Sequence, residues 1–339
     1  MKLGIVGLSG AGKSTVFEAL TKNVENVSHK GENRIGTIYV PDERVDFLSD
    51  MYKPKKTTYA QNTYLLPGHG EKKTEKDLSL NQIRDCDAQI LVVRNFSGYG
   101  MSQVTPLGDF NKFNQELIFT DLVVIEKRIE RLEIDQKRGK KVEPELSLIK
   151  ECKKILESEI PLRKHPELAS EPIFRGFAFL SAKPMLILFN NNDEDTKLPE
   201  EVNLLAENCM VIRGKIEQEI AKMTEEDAKD FMSEFDIEES AMARVIKKSY
   251  DILGLISFFT VGEDEVKAWT IKKGTSALDA AEVIHSDIKK GFIRAEVLAY
   301  DDLKTSGSFQ EAKKKAHLRL EGKGYEVKDG DIIHFRFNV

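Results

Sequence analysis

Gly7-Leu8-Ser9-Gly10-Ala11-Gly12-Lys13-Ser14, followed by Thr15, is the stretch that decides how this chain is read. It satisfies the phosphate-loop pattern G-x-x-x-x-G-K-[ST] at every fixed position. Its flanks are the ones the pattern needs. Leu3-Gly4-Ile5-Val6 predicts a short buried strand, and Thr15 to Asn23 predicts a helix with Val16, Phe17, Ala19 and Leu20 on its apolar side. A strand that feeds a glycine loop into a helix N-terminus turns free backbone N–H groups, and the positive end of the helix dipole, toward an anion. Gly7 and Gly12 let the loop curl without a Cβ clash. On this reading Ser9, Gly10, Ala11, Gly12, Lys13, Ser14 and Thr15 hold the phosphates. Lys13 reaches the β- and γ-phosphates, and the Ser14 hydroxyl faces a Mg²⁺ ion.

The totals set the frame. A chain of 339 residues has room for two or three domains, and 40% hydrophobic with 32% charged residues suits a soluble globular protein. A net charge of −6 argues against an all-round nucleic-acid coat and leaves room for a local basic patch. Cys86, Cys152 and Cys209 are too few and too scattered for a disulfide framework or a zinc cluster, which fits a reducing cytoplasm. The N-terminus runs straight into a strand, so no signal peptide is expected. No apolar run has the length of a membrane span, and nothing in the sequence is specific for DNA.

Around the phosphate loop the chain alternates strands and helices, the pattern of a parallel sheet covered on both faces. Val24 to Arg34 is a polar stretch. Thr37 to Val40 reads as a strand, Asp42 to Met51 as a helix, Tyr64 to Leu66 as a strand end, Pro67 to Gly70 as a turn and Ile90 to Val93 as a buried strand. From Phe113 the texture becomes that of an antiparallel helical hairpin. One helix runs to Arg138, Gly139 breaks it, and Glu143 to Ser158 returns. The hairpin tip, Lys137-Arg138-Gly139-Lys140-Lys141, is either a solvated turn or a contact for phosphate backbone, RNA above all. Met185 to Phe189 and Met210 to Ile212 return to the strand pattern, followed by helices from Ile216 to Leu253 with one break near Phe235-Asp236. Short strands and one small helix after Ser257 predict a compact β-grasp module. The expected domains are 1–111 with 181–256 for nucleotide, 112–180 for the helical arm and 257–339 for the β-grasp.

A phosphate loop does not choose a base. In split α/β nucleotidases of the GTPase class the choice is made at the end of a late strand, where an Asn-Lys-x-Asp carboxylate takes two hydrogen bonds from guanine. Two registers are open here: Asn190 with Asp193, or Asn191 with Glu194. Strand length favours the first.

The C-terminal third carries a resemblance. Leu253 to Thr260, Val266 to Thr275, Val283-Ile284-His285, Gly291 to Val297 and the ending Leu320 to Tyr325 and Phe335 to Val339 are similar, nearly word for word, to the YchF branch of the Obg-like P-loop proteins. The resemblance implies a G domain, an inserted coiled-coil arm and a C-terminal TGS domain. It also implies a cytoplasmic nucleotidase, often preferring ATP, that associates with ribosomes. Four departures bear on it. Asn190 with Asp193 gives a guanine-type acid where the family has N-x-x-E. The family's Asp-x-x-Gly, whose Asp holds a water on Mg²⁺, is Leu65-Leu66-Pro67-Gly68 here, so the acid is missing. His69 follows that glycine, as in translational GTPases where a histidine orients the attacking water. No threonine stands where the family binds metal; Thr37 is nearest and falls in the next strand. Two readings follow: a slow ATP- or GTP-hydrolysing switch, or a module that binds nucleotide without turning it over. In the C-terminal module Lys289, Lys290, Arg294, Lys313, Lys314, Lys315, His317 and Arg319 form either a basic RNA-facing surface or scattered solubility charge, and Trp269 reads as core rather than a base-stacking platform.

Overall fold

The computed structural model describes residues 1–22, 32–68, 80–98, 103–200, 202, 207–235 and 237–338. Its contacts divide the chain into two compact units, residues 1–37 with 63–245 and residues 38–62 with 246–339.

The first unit is built on a six-stranded sheet. Its strands are β1 (Lys2–Val6), β2 (Arg34–Tyr39), β4 (Gln61–Leu66), β5 (Ala88–Asn95), β6 (Met185–Asn191) and β7 (Asn208–Ile212), in the order β2-β4-β1-β5-β6-β7. β1 runs parallel to β4 and β5, β5 to β6, and β6 to β7. Strands covered on both faces read as unbroken apolar runs, and every residue of β6 is buried. Leu65, Leu91, Leu117, Ile187 and Phe189 share its core. Parallel strands bring their carboxyl ends to one edge, where open α/β sheets bind ligands.

Helix α1 (Lys13–Thr21) follows β1. The arm consists of α3 (Pro106–Lys137) and α4 (Glu145–Glu157), joined through Gly139 at φ +80°. Ile125, Leu132, Leu146, Ile149, Cys152 and Leu156 close the seam between them, with Arg128 clamped on the Glu145 carboxylate. At the arm's base the buried Asp121 carboxylate accepts the Leu180 and Ser181 N–H groups at 2.9 and 2.7 Å, fixing the chain just before it enters β6. The short helix α5 (Pro166–Ala169) lies on this return path. After β7 the chain forms three helices, α6 (Gly214–Ile220), α7 (Glu225–Glu234) and α8 (Ala241–Ile252), where the sequence suggested one break. Polar caps account for the extra break: Thr224 accepts the Asp227 N–H, and buried Glu217 accepts the Ala241 N–H at 2.9 Å. Among the described residues no helix is long and apolar enough to cross a membrane.

The second unit carries β8 (Leu255–Thr260), β9 (Glu265–Lys272), α9 (Ala277–Ile284), α10 (Ser286–Lys290), β10 (Phe292–Ala299), α11 (Tyr300–Ser306), α12 (Phe309–Lys314), β11 (Arg319–Glu321) and β12 (Asp331–Phe337). β8 and β12 are parallel at the centre, each beside an antiparallel partner, as a β-grasp requires. Residues 38–62, read from sequence as part of the nucleotide domain, group with this unit. Their α2 (Glu43–Tyr52) is capped by Asp42, and β3 (Lys56–Thr58) pairs in parallel with β9, giving the order β11-β10-β12-β8-β9-β3. Arg44 bonds both Asp42 and Asp329 and lies 5.1 Å from the Phe259 ring. Glu326 makes an isolated bridge to Ser276.

Candidate functional site

The phosphate loop takes the form its sequence predicts. Gly7 sits at φ +142°, where a Cβ would lie 2.3 Å from the Val92 carbonyl oxygen, so the loop leaves β1 pressed against β5. Gly12, at φ +96°, caps α1, and Val16 N–H donates to its carbonyl at 3.0 Å. The first-turn amides of α1 have no partner within the helix and are free for an acceptor. The Lys13 ammonium donates to the Gly7 and Leu8 carbonyls at 2.9 and 2.8 Å, which centres it under the loop. Burial lowers its pKa from the ordinary lysine value. Ser9, Gly10 and Ser14 are exposed and Ala11 is buried.

Asn190 is welded to this loop. The residue is 5% exposed, and its carboxamide donates from Nδ2 to the Ala11 carbonyl at 3.1 Å and accepts the Gly214 N–H on Oδ1 at 2.9 Å. A Cβ on Gly12 would fall 2.3 Å from Asn190 Nδ2, and one on Gly214 2.7 Å from its Oδ1. Two glycines therefore frame one carboxamide. The Asn191 carboxamide is engaged otherwise, accepting from Asn95 and donating to the Lys197 carbonyl. A cleft of about 390 Å³ opens beside the loop, lined by Gly12, Thr15, Phe96, Asn190, Asp193 and Lys215 among others. Asp193 reaches it, and Lys215 Nζ lies 3.9 Å from Asp193 Oδ2. Glu194 is exposed and does not line the cleft. The geometry thus brings together the loop, Asn190, Asn191 and Asp193 around one cleft and leaves Glu194 outside it.

Sequence reading missed Phe96 and the run Arg213-Gly214-Lys215. A small residue straight after the last parallel strand was the available signal for the second, because only glycine leaves room for Asn190.

On the metal side, Ser14 offers an exposed hydroxyl at the loop. Leu65 is 1% exposed, packed in the sheet core, and offers no ligand. Thr37 lies within β2 with its hydroxyl 3.1 Å from that of Thr63, as its place in the strand implied. Among the described residues no group of three His, Cys, Asp or Glu could hold an ion. The Ser14 hydroxyl would be the described loop oxygen offered to a Mg²⁺ on bound phosphates. The Gly68 N–H donates to Asn33 Oδ1 at 2.9 Å; His69, next in the chain, lies outside the described residues, as do Gly70, Glu71 to Asp77 and positions 24–31 of the polar stretch.

At the arm tip Lys140 pairs with Asp135 at 2.8 Å, whereas Lys137, Arg138 and Lys141 are exposed with no ion-pair partner among the described residues. Five of the eight basic residues singled out in the second unit, all but Arg294, Lys313 and Lys315, are paired with acids in place. Lys289 pairs with Asp279 and Glu282, Lys290 with Asp287, Lys314 with Glu311, and His317 lies 3.0 Å from Asp302. Arg319 is engaged by Tyr325 and Asp331. Trp269 donates from Nε1 to Thr260 Oγ1 and packs on the core.

A glycine cradle between β1 and a helix, on a parallel sheet with an Asn-bearing strand end beside it, defines a P-loop nucleotide-binding protein of the G-domain type. Comparison with known proteins agrees and narrows this. Residues 255–338 match the family model described as YchF-GTPase_C, protein of unknown function (DUF933). The "Ribosome-binding ATPase YchF" of Bacillus subtilis is 37% identical over 99% of this chain and 99% of its own. The protein of the same name from Haemophilus influenzae is 37% identical over 100% of this chain and 99% of its own. Among solved structures, the Schizosaccharomyces pombe YchF GTPase superposes with a TM-score of 0.84 at 29% identity, covering 99% of this chain and 97% of that one. The chain belongs to the YchF family.

Proposed function

We propose that the protein hydrolyses a purine nucleoside triphosphate, ATP or GTP, slowly and with Mg²⁺, and that the nucleotide state governs its attachment to the ribosome in the cytoplasm. The observation that carries this reading is the Asn190 carboxamide bonded at once to the phosphate loop and to the turn after β7. That contact ties the base side of the cleft to the phosphate side. Residues Ser9 to Thr15 grip the phosphates, with the loop amides and Lys13 balancing their charge. Asn190 and Asp193 border the base. Mg²⁺, when bound, would neutralise charge on the phosphates, with Ser14 as its protein ligand. His69 is placed by sequence to orient water. Relatives named ribosome-binding ATPases support the partner, and the unpaired cations at the arm tip are the surface here that suits phosphate backbone.

Phosphate release under steady-state conditions tests the catalytic half. Wild type should exceed Lys13→Ala by at least tenfold. Equal rates would leave a module that binds without turnover, the alternative that buried Leu65 favours. Loss of the wild-type rate in His69→Ala would give that histidine its role, and an unchanged rate would remove it. Co-sedimentation with ribosomes at low and moderate salt, with Lys137, Arg138 and Lys141 changed to Ala, tests the partner half. Unchanged binding would take the tip out of the account.

A further inference from the structure

We infer that Lys215 sets the ratio of adenine to guanine affinity by standing beside Asp193 as a donor next to an acceptor; the inference rests on the nucleotide reading above. The placement is built into the sheet. Asn190 and Ile212 are partners in the parallel pair β6–β7, and Asp193 and Lys215 each stand three residues beyond them. The Arg213 guanidinium donates to the Asp193 carbonyl at 3.3 Å, which holds the two strand exits together. Both side chains line the cleft next to Gly12 and Asn190, with Lys215 Nζ 3.9 Å from Asp193 Oδ2.

The chemistry follows from the purine edges. Guanine presents N1–H and N2–H, two donors that one carboxylate can accept together. An isolated Asp193 would therefore select guanine. Adenine presents one donor, N6–H, beside one acceptor, N1. A lone carboxylate meets N1 with repulsion, but a carboxylate with an ammonium beside it matches the pair, since Asp193 accepts from N6 and Lys215 donates to N1. In the Asn-Lys-x-Asp pattern a lysine stands between the asparagine and the acid. Here that position is Asn191, which is turned to Asn95 and the Lys197 carbonyl. Lys215 is the one cation among the described residues that line the cleft.

The test is calorimetric titration of the full chain with ADP and with GDP, for wild type, Lys215→Met and Asp193→Asn. The Lys215 side chain is 80% exposed, so its replacement leaves the fold alone. Wild type should bind both nucleotides within about tenfold of one another. Lys215→Met should weaken ADP about tenfold, the loss of one hydrogen bond to a charged donor, and GDP less than about threefold. Asp193→Asn should weaken GDP more than ADP. A Lys215→Met variant whose ADP-to-GDP ratio is unchanged overturns the inference, as does a wild type that rejects ADP outright. A wild type that binds neither nucleotide overturns the nucleotide reading itself, and this inference with it.

Discussion

Exchanging Asn190 for aspartate changes the chemistry of one atom at the point where base side and phosphate side meet. The carboxamide has one correct orientation, because the Gly214 N–H needs an acceptor and the Ala11 carbonyl needs a donor. A carboxylate of the same shape keeps the first bond and sets a bare oxygen against the Ala11 carbonyl, 3.1 Å away in the native pair. The lost hydrogen bond is worth about 1 kcal/mol and the stranded buried carbonyl about 1–3 kcal/mol more, so Asn190→Asp should cost about 2–4 kcal/mol. At roughly 2–4 °C per kcal/mol for a unit of this size, the thermal midpoint falls on the order of 10 °C. Nucleotide affinity falls as well, since Ala11 is part of the loop. Protonation restores a donor, so the deficit should shrink as the pH is lowered. Thermal melts followed by circular dichroism, at neutral and mildly acid pH, with and without ADP, read all three effects. A variant that melts like wild type at neutral pH would refute the claim that Asn190 braces the loop.

Leu65→Asp restores the family's acid in the sequence but places a carboxylate among apolar side chains, so it should cost several kcal/mol in urea unfolding without raising Mg²⁺-dependent turnover; a stable, faster variant would refute the core placement. Arg44→Lys keeps the charge but loses the fork that spans Asp42 and Asp329, and should destabilise the second unit by about 1–3 kcal/mol in the same assay. Burial raises the Asp121 carboxyl above its ordinary 3.8, against the opposing pull of its two N–H donors and Arg84. The folded state thus holds that proton more tightly than the unfolded one, and the resulting stabilisation is complete below the ordinary value and lost as pH rises through the raised one. Asp121→Asn abolishes that slope, so wild type should lose stability relative to the variant as pH rises above the ordinary carboxyl value in urea titrations.

The phosphate loop could be read from sequence because its residue types are forced by backbone geometry. Gly7 faces the Val92 carbonyl and Gly12 faces Asn190, and no other residue fits either place. β5 and β6 were equally plain, since burial on both faces demands an apolar run. Strand length already favoured the Asn190 register, but Asn190, Asn191 and Asn192 are chemically identical, and it is the strand pairing that shows which one reaches Ala11. The affiliation of residues 38–62 was hidden for another reason. β3 is three residues long, too short for a period to show, and what binds it to β9 is backbone pairing with Glu265 to Lys267. The ion pairs that consume the basic set of the second unit are mostly local, three to ten residues apart, and a count of lysines overlooks them.

Binding and catalysis draw on different atoms in this site. On the proposed reading, phosphate is held by loop amides, by Lys13 and by a loop shape that Asn190 braces, and none of these groups lies on β4. A core leucine at position 65 therefore leaves the cradle intact. Tyr64, Leu65 and Leu66 are all buried in succession, so that end of β4 now serves the packing of the sheet. The cost falls on the metal. Mg²⁺ surrenders its water reluctantly and relies on one or two carboxylates besides phosphate to be held in place. With Ser14 as the ligand among the described residues, the ion would be held chiefly through the nucleotide. Nucleotide affinity should therefore depend on Mg²⁺ less than turnover does, and comparing ADP binding with phosphate release across a Mg²⁺ titration would expose that separation.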